Sequence, residues 1–125
     1  PRPPADAAEH LVATHRAHTL TLFEHFQTDK VGHRRIDLAP DVLLGRLDRF
    51  LGRLLTLLDP AHDTLLLTSD HGNLEDTRHT QHTRNPVPLF VYGWAAPYFT
   101  HARSLTDVTP AIATALEAAA RPAPG

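Results

Sequence analysis

The stretch Asp41–Leu58 constrains the fold more than any other part of the chain. Leu43, Leu47, Phe50, Leu51, Leu54 and Leu58 share one stripe at helical spacing, while Arg46, Arg49 and Arg53 lie on another. Such a pattern describes an amphipathic helix laid on an apolar layer. Asp41 after Pro40 stabilises its first turn, and Asp59-Pro60 ends it. Ala8, Leu11, Val12 and His15 predict a second helix within Ala5–His18. Thr19–Thr28 alternates β-branched and aromatic residues and reads as a strand that delivers Asp29 to its exit, with loop from Lys30 to Pro40 around Gly32.

Thr64–Ser69 is a short apolar run of the buried-strand kind, ending at Asp70 and His71. A polar loop follows from His71 to Asn85, then a strand over Val87–Tyr92 between Pro86 and Gly93. A last helix spans Asp107–Ala120, with Thr106 or Asp107 as cap and Pro110 in its first turn. The order helix, strand, helix, strand, strand, helix predicts an α/β layer with some parallel pairing, in which loops at the carboxyl ends of strands gather functional groups. Residues 1–4 form a Pro-rich, disordered entry, residues 5–120 a single domain and residues 121–125 a Pro-rich tail.

A length of 125 residues suits one core. No apolar run approaches the roughly 18 to 20 residues that span a bilayer. A net charge of −2, with both signs scattered, gives no footprint for nucleic acid or an anionic membrane, so neither is expected as a partner. The absence of cysteine excludes disulfides and thiolate metal sites, leaving imidazole and carboxylate as metal ligands. The chain begins at Pro1 and contains no methionine, so it reads as a processed chain or a fragment. No secretory leader is visible, and a cytoplasmic setting is the default expectation.

Ten histidines make the chain rich in potential ligands. Three clusters concentrate the chemistry: Asp29-Lys30-Val31-Gly32-His33, Ser69-Asp70-His71-Gly72-Asn73, and His79-Thr80-Gln81-His82-Thr83 ahead of Asn85-Pro86-Val87-Pro88. Carboxylate oxygens and imidazole nitrogens together suit divalent zinc or manganese. Each cluster taken alone has a plainer reading. Asp29 could cap a turn beside an exposed His33, residues 70–73 could be a polar turn, and His79 and His82 could be surface residues. Their conjunction, in this order, favours a metal site.

The run Leu67–Glu75 followed by His79–Leu89 resembles the carboxyl-terminal signature of cofactor-independent phosphoglycerate mutases and related metalloenzymes of the alkaline phosphatase superfamily. Asp29 and His33 are similar to that family's aspartate and histidine spaced four apart, and Leu47–Gly52 resembles the intervening helix. The resemblance covers roughly Leu20 to Leu116. It implies a three-layer core with a mostly parallel sheet, of which this chain is the carboxyl-terminal portion. It also implies two divalent ions, zinc or manganese, with Asp29, His33 and His82 on one and Asp70 and His71 on the other. Asn73 would stand behind these ligands, and His79 would either do the same or be exposed.

The departures bear on function as much as the matches. In the family a further aspartate and a serine or threonine nucleophile lie near the amino terminus, and nothing before Asp29 looks like them; Asp6 falls in a predicted helix. The nucleophile is therefore expected outside this chain, in an amino-terminal segment of the same enzyme. The mutases' separate substrate domain also has no counterpart here. The leading expectation is a metal-dependent phosphoryl-transfer enzyme acting on a phosphorylated small molecule, a phosphatase or phosphodiesterase ahead of a phosphomutase, with the isolated chain inactive. The alternatives are a metal-binding module without catalysis and an α/β interaction domain.

Overall fold

The leucine stripe becomes the buried face of a long helix in the computed structural model, which describes residues 2–120. The mixed α/β chain divides into two compact units: residues up to Leu58 with His71–Val87, and Asp59–Asp70 with residues from Pro88 onward. The 121–125 tail lies outside the described residues. Among the described residues no helix is long and apolar enough to cross a membrane.

Three helices build the first unit: α1 (Pro4–His15), α2 (Gln27–Gly32) and α3 (Pro40–Leu57). Helices α1 and α2 both pack on α3. Ala8 and Val12 of α1, Val31 of α2, and Leu43, Phe50 and Leu54 of α3 are buried, Leu43 at 1% exposure. Prolines in the first turns of α1 and α3 suit positions whose N–H groups have no partner inside the helix. Phe23 packs its ring on Phe50 at 5.4 Å between centroids. The Arg53 guanidinium donates to Glu9 Oε1 at 2.6 Å, joining the exposed sides of α3 and α1.

The strand expected over Thr19–Thr28 is not formed. Residues 20–25 are irregular, and helix α2 begins at Gln27. Strand propensity measures how well a side chain fits a paired, half-buried sheet surface. This segment has no pairing strand among the described residues, and Leu22 is 85% exposed, with Leu20, Phe23 and Phe26 also exposed. Asp29 consequently sits on a helical turn and not at a strand exit.

Helix α2 closes with Arg34 N–H on the Val31 carbonyl at 2.9 Å and Arg35 N–H on the Lys30 carbonyl at 2.8 Å. This closure needs a left-handed residue just past the helix. Arg34 occupies that position with φ 55°, where glycine would carry no steric penalty. Its side chain is anchored by Nη2 donating to the Thr77 carbonyl at 3.0 Å.

The second unit holds the sheet. Strands β1 (Thr64–Thr68) and β2 (Leu89–Gly93) pair antiparallel, with Thr64 opposite Gly93 and Thr68 opposite Leu89. The described residues thus carry an antiparallel pair where a mostly parallel sheet was expected. Parallel pairing needs a crossover that carries the chain back along the strand, usually a helix. The connection between β1 and β2 contains no helix and re-enters beside the end it left.

A Ser104–Asp107 capping box starts a short 3₁₀ turn that runs into helix α4 (Val108–Ala120). Asp107 accepts the Arg103 and Ser104 N–H groups at 2.8 and 2.9 Å. These bonds hold its carboxyl below the usual range. Ala95, Phe99 and Ala115 form the buried cluster of this unit, with Leu66, Val91 and Ile112 packed against it.

Truncating Leu43 to alanine should destabilise the first unit by about 2–5 kcal/mol, the usual cost of emptying a filled core position. A denaturation midpoint that hardly moves would contradict the packing described. At the end of α2, Arg34→Gly should be more stable than Arg34→Ala by about 1 kcal/mol. Both variants lose the bond to Thr77, so the difference reads the left-handed backbone alone, and equal stabilities would contradict it.

Candidate metal centre

One turn of helix α2 settles the first two functional groups. Residues four apart share a helix face, and His33 Nε2 lies 3.1 Å from Asp29 Oδ1. The other nitrogen of the ring sets its orientation, because His33 Nδ1 donates to the Thr80 carbonyl at 2.6 Å. In the neutral ring that bond makes Nε2 the nitrogen that carries the lone pair.

Thr80 belongs to the polar loop that also carries His82. His82 Nε2 reaches to 2.9 Å from His33 Nε2 and 3.4 Å from Asp29 Oδ1. These three residues form a group whose ligand atoms converge on one point. A carboxylate oxygen and an imidazole lone pair are both acceptors, so a single proton satisfies only part of the triangle, whereas one cation satisfies all of it. Tetrahedral bonds of about 2.0–2.1 Å separate neighbouring ligand atoms by roughly 3.3 Å, and the observed edges of 2.9, 3.1 and 3.4 Å fit one face of such a site. The donor set of two nitrogens and an oxygen suits zinc or manganese.

The other expected site residues fall in different places. His71 lies beside the triangle, stacked on His82 at 3.6 Å between centroids, with Nε2 3.9 Å from Asp29 Oδ1. Asp70 is exposed and belongs to the second unit. Asn73 is buried and its Nδ2 donates to Asp29 Oδ1, the oxygen of the triangle, at 3.4 Å, while its own Oδ1 is buried with no hydrogen-bond partner. His79 is exposed, accepts the Gln81 N–H and pairs with Asp76 at 3.7 Å.

Gly32 makes the approach of Asn73 possible. A Cβ there would fall on the Asn73 side-chain oxygen, so a turn that carries Asp29 and His33 requires glycine between them. Gly32 also lines a cleft of about 480 Å³ with Arg34, Arg35, Ile36, Leu74 and Thr77.

Two carboxylates organise the loop without touching the triangle, and sequence reasoning assigned neither a role. Glu75 accepts the Asn73 N–H at 2.6 Å, the Asn85 amide at 3.0 Å and the Thr83 hydroxyl. The Thr83 bond is the main reason its carboxyl is lowered to about 2. Asp76 is held well below the usual carboxylate range by the Arg78 guanidinium, bound at 2.6 and 2.8 Å. The only signal for Glu75 was its place in the motif two residues after Asn73.

The Metalloenzyme superfamily model matches residues 5–120. A 2,3-bisphosphoglycerate-independent phosphoglycerate mutase from Cereibacter sphaeroides is 32% identical over 115 residues, covering 86% of this chain and 23% of the relative. One from Paracoccus denitrificans is 30% identical over 116 residues, covering 87% of this chain and 23% of the relative. A third, from Vibrio parahaemolyticus, is 35% identical over 89 residues, covering 66% and 18%. The chain thus spans about a quarter of the length of the curated relatives it matches. No solved structure matches it. With the family match running across the whole acceptor triangle and the helices that carry it, the chain belongs to the Metalloenzyme superfamily.

Proposed function

We propose that this chain is the metal-binding portion of a metal-dependent phosphoryl-transfer enzyme of the alkaline phosphatase superfamily. The convergence of Asp29, His33 and His82 on one point carries the reading. These three residues would hold one divalent ion, and Asp70 and His71 would hold a second, zinc or manganese in each case. Such ions neutralise charge on a transferring phosphoryl group and lower the pKa of the attacking hydroxyl or water. Around them, this chain's own residues orient the ligands: Thr80 fixes the His33 ring, and Asn73 braces Asp29.

The substrate is a phosphorylated small molecule, and the cleft beside Gly32 with Arg34 and Arg35 supports an anionic one. The relatives carry the name phosphoglycerate mutase, so a phosphomutase stands beside a phosphatase or phosphodiesterase. The three differ in whether water or a second hydroxyl accepts the phosphoryl group. The Ser or Thr nucleophile and a further metal-ligating aspartate come from an amino-terminal segment of the same enzyme, Asp6 of this chain lying within helix α1. Residues 5–120 act as one domain that completes a three-layer, mostly parallel core with that segment, in a cytoplasmic enzyme. The exposed apolar side chains of Leu20, Leu22, Phe23 and Phe26 support this, marking a segment on which a further strand could pair.

Calorimetric titration tests the metal site first. Zinc or manganese should bind the parent, His33→Ala and His82→Ala should each weaken binding by more than tenfold, and His79→Ala should leave it unchanged. Equal effects from His79 and His82 would overturn the ligand assignment. Inorganic phosphate separates enzyme from binding module: it should bind the zinc-loaded chain and not the metal-free chain. A chain that binds zinc yet shows no affinity for phosphate would favour the module without catalysis.

A further inference from the structure

We propose that Glu75 is the positioning residue of this metal centre: its carboxylate clasps the loop from Gly72 to Asn85 shut and so holds His82 against Asp29 and His33. The proposal rests on the metal-centre reading and goes beyond it in assigning a role to a residue that touches none of the three converging atoms.

The clasp has two arms. One carboxylate oxygen accepts the Asn73 N–H at 2.6 Å, and the other accepts the Thr83 hydroxyl and the Asn85 amide, the latter at 3.0 Å. Each arm ends beside the centre. Thr83 follows His82 directly, and the Asn73 side chain donates to Asp29. A backbone bridge runs with the clasp, the Thr83 N–H donating to the Gly72 carbonyl at 2.9 Å. A Cβ at Gly72 would strike both the Thr83 hydroxyl and the Glu75 carboxylate, so the close passage requires glycine.

Beyond the His33 and Arg34 bonds to the Thr80 and Thr77 carbonyls and the Thr83–Gly72 bridge, little else holds the loop closed. Gly72 and Asn73 are its buried residues, while Gln81, His82, Arg84 and Asn85 are exposed. Little apolar burial opposes the conformational entropy of opening, so polar ties must do so. A carboxylate that accepts three donors is a strong tie of this kind, because bonds to an ionised acceptor exceed neutral ones. Glutamine in its place would offer one acceptor oxygen and an amide that donates, and could not keep all three bonds.

The test is zinc titration by calorimetry on the parent, Glu75→Gln, Thr83→Val and the double variant, with circular dichroism to confirm folding. Loss of a group that orients a ligand typically weakens metal binding by about 10-fold to 100-fold. Each single variant should fall in that range, and the double variant should be no weaker than the worse single, because both break one clasp. Folded Glu75→Gln with parental affinity, or effects of the two changes that multiply in full, would overturn the proposal.

Amide hydrogen exchange at Asn73 and Thr83 gives a readout that needs no metal. Exchange should be slow in the parent and at least tenfold faster in Glu75→Gln, and equal rates would overturn the clasp. A parent that binds no zinc would instead sink the metal-centre reading. If Glu75→Gln failed to fold, Thr83→Val would carry both measurements, with the same outcomes deciding.

Discussion

Three acceptor atoms, Asp29 Oδ1 and the Nε2 atoms of His33 and His82, stand within 3.4 Å of one another, and much of the polar structure of the first unit serves to keep them there. Left to themselves these groups would turn outward toward water, which satisfies lone pairs at no cost in order. They are held inward by their neighbours. The Thr80 carbonyl takes the far nitrogen of His33, Asn73 takes Asp29, and His71 stacks on His82. A cation that engages all three atoms binds the folded chain and not the unfolded one, which links metal binding to stability.

The construction explains why two glycines sit where they do. At Gly32 and Gly72 the backbone passes against side-chain oxygens, of Asn73 in one case and of Thr83 and Glu75 in the other. The first contact joins segments far apart in sequence, the turn at 29–33 and the loop at 71–85, and the second closes that loop on itself. The helical scaffold supplies the rigid half of this arrangement, since α2 packs on α3 through the unit whose core includes Val31 and Leu43. The loop supplies the other half and is held by hydrogen bonds more than by packing. Ligand geometry therefore depends on a polar network whose members reinforce one another.

Much of this was legible in the sequence, and what was not has identifiable causes. The leucine stripe announced α3, and the apolar runs announced β1 and β2, because burial against a neighbour within this chain decided those elements. Thr19–Thr28 failed as a strand because strand character depends on a partner, and none of the described residues provides one. The error carried over to Asp29, placed at a strand exit when the spacing of four to His33 was itself a helical signature. The sheet's antiparallel sense was hidden because an apolar run carries no information about the direction of its neighbour. At the site, residue types and spacing drew attention to Asp29, His33, His79 and His82 among others, the family resemblance singled out His82 over His79, and the structure brings Asp29, His33 and His82 together. Glu75 and the Thr80 carbonyl escaped notice, since one is an exposed glutamate and the other a backbone group that no sequence pattern marks.

The central claim is that these two imidazoles present Nε2 to a common cation. Nitrogen-15 spectra of the histidine rings, recorded during titration with zinc, test it most directly. The account predicts that Nε2 of His33 and of His82 shift together and saturate at one equivalent, that His33 Nδ1 keeps its proton on Thr80, and that His79 is unmoved. Shifts confined to exposed histidines such as His79, or a His33 ring bound through Nδ1, would contradict it.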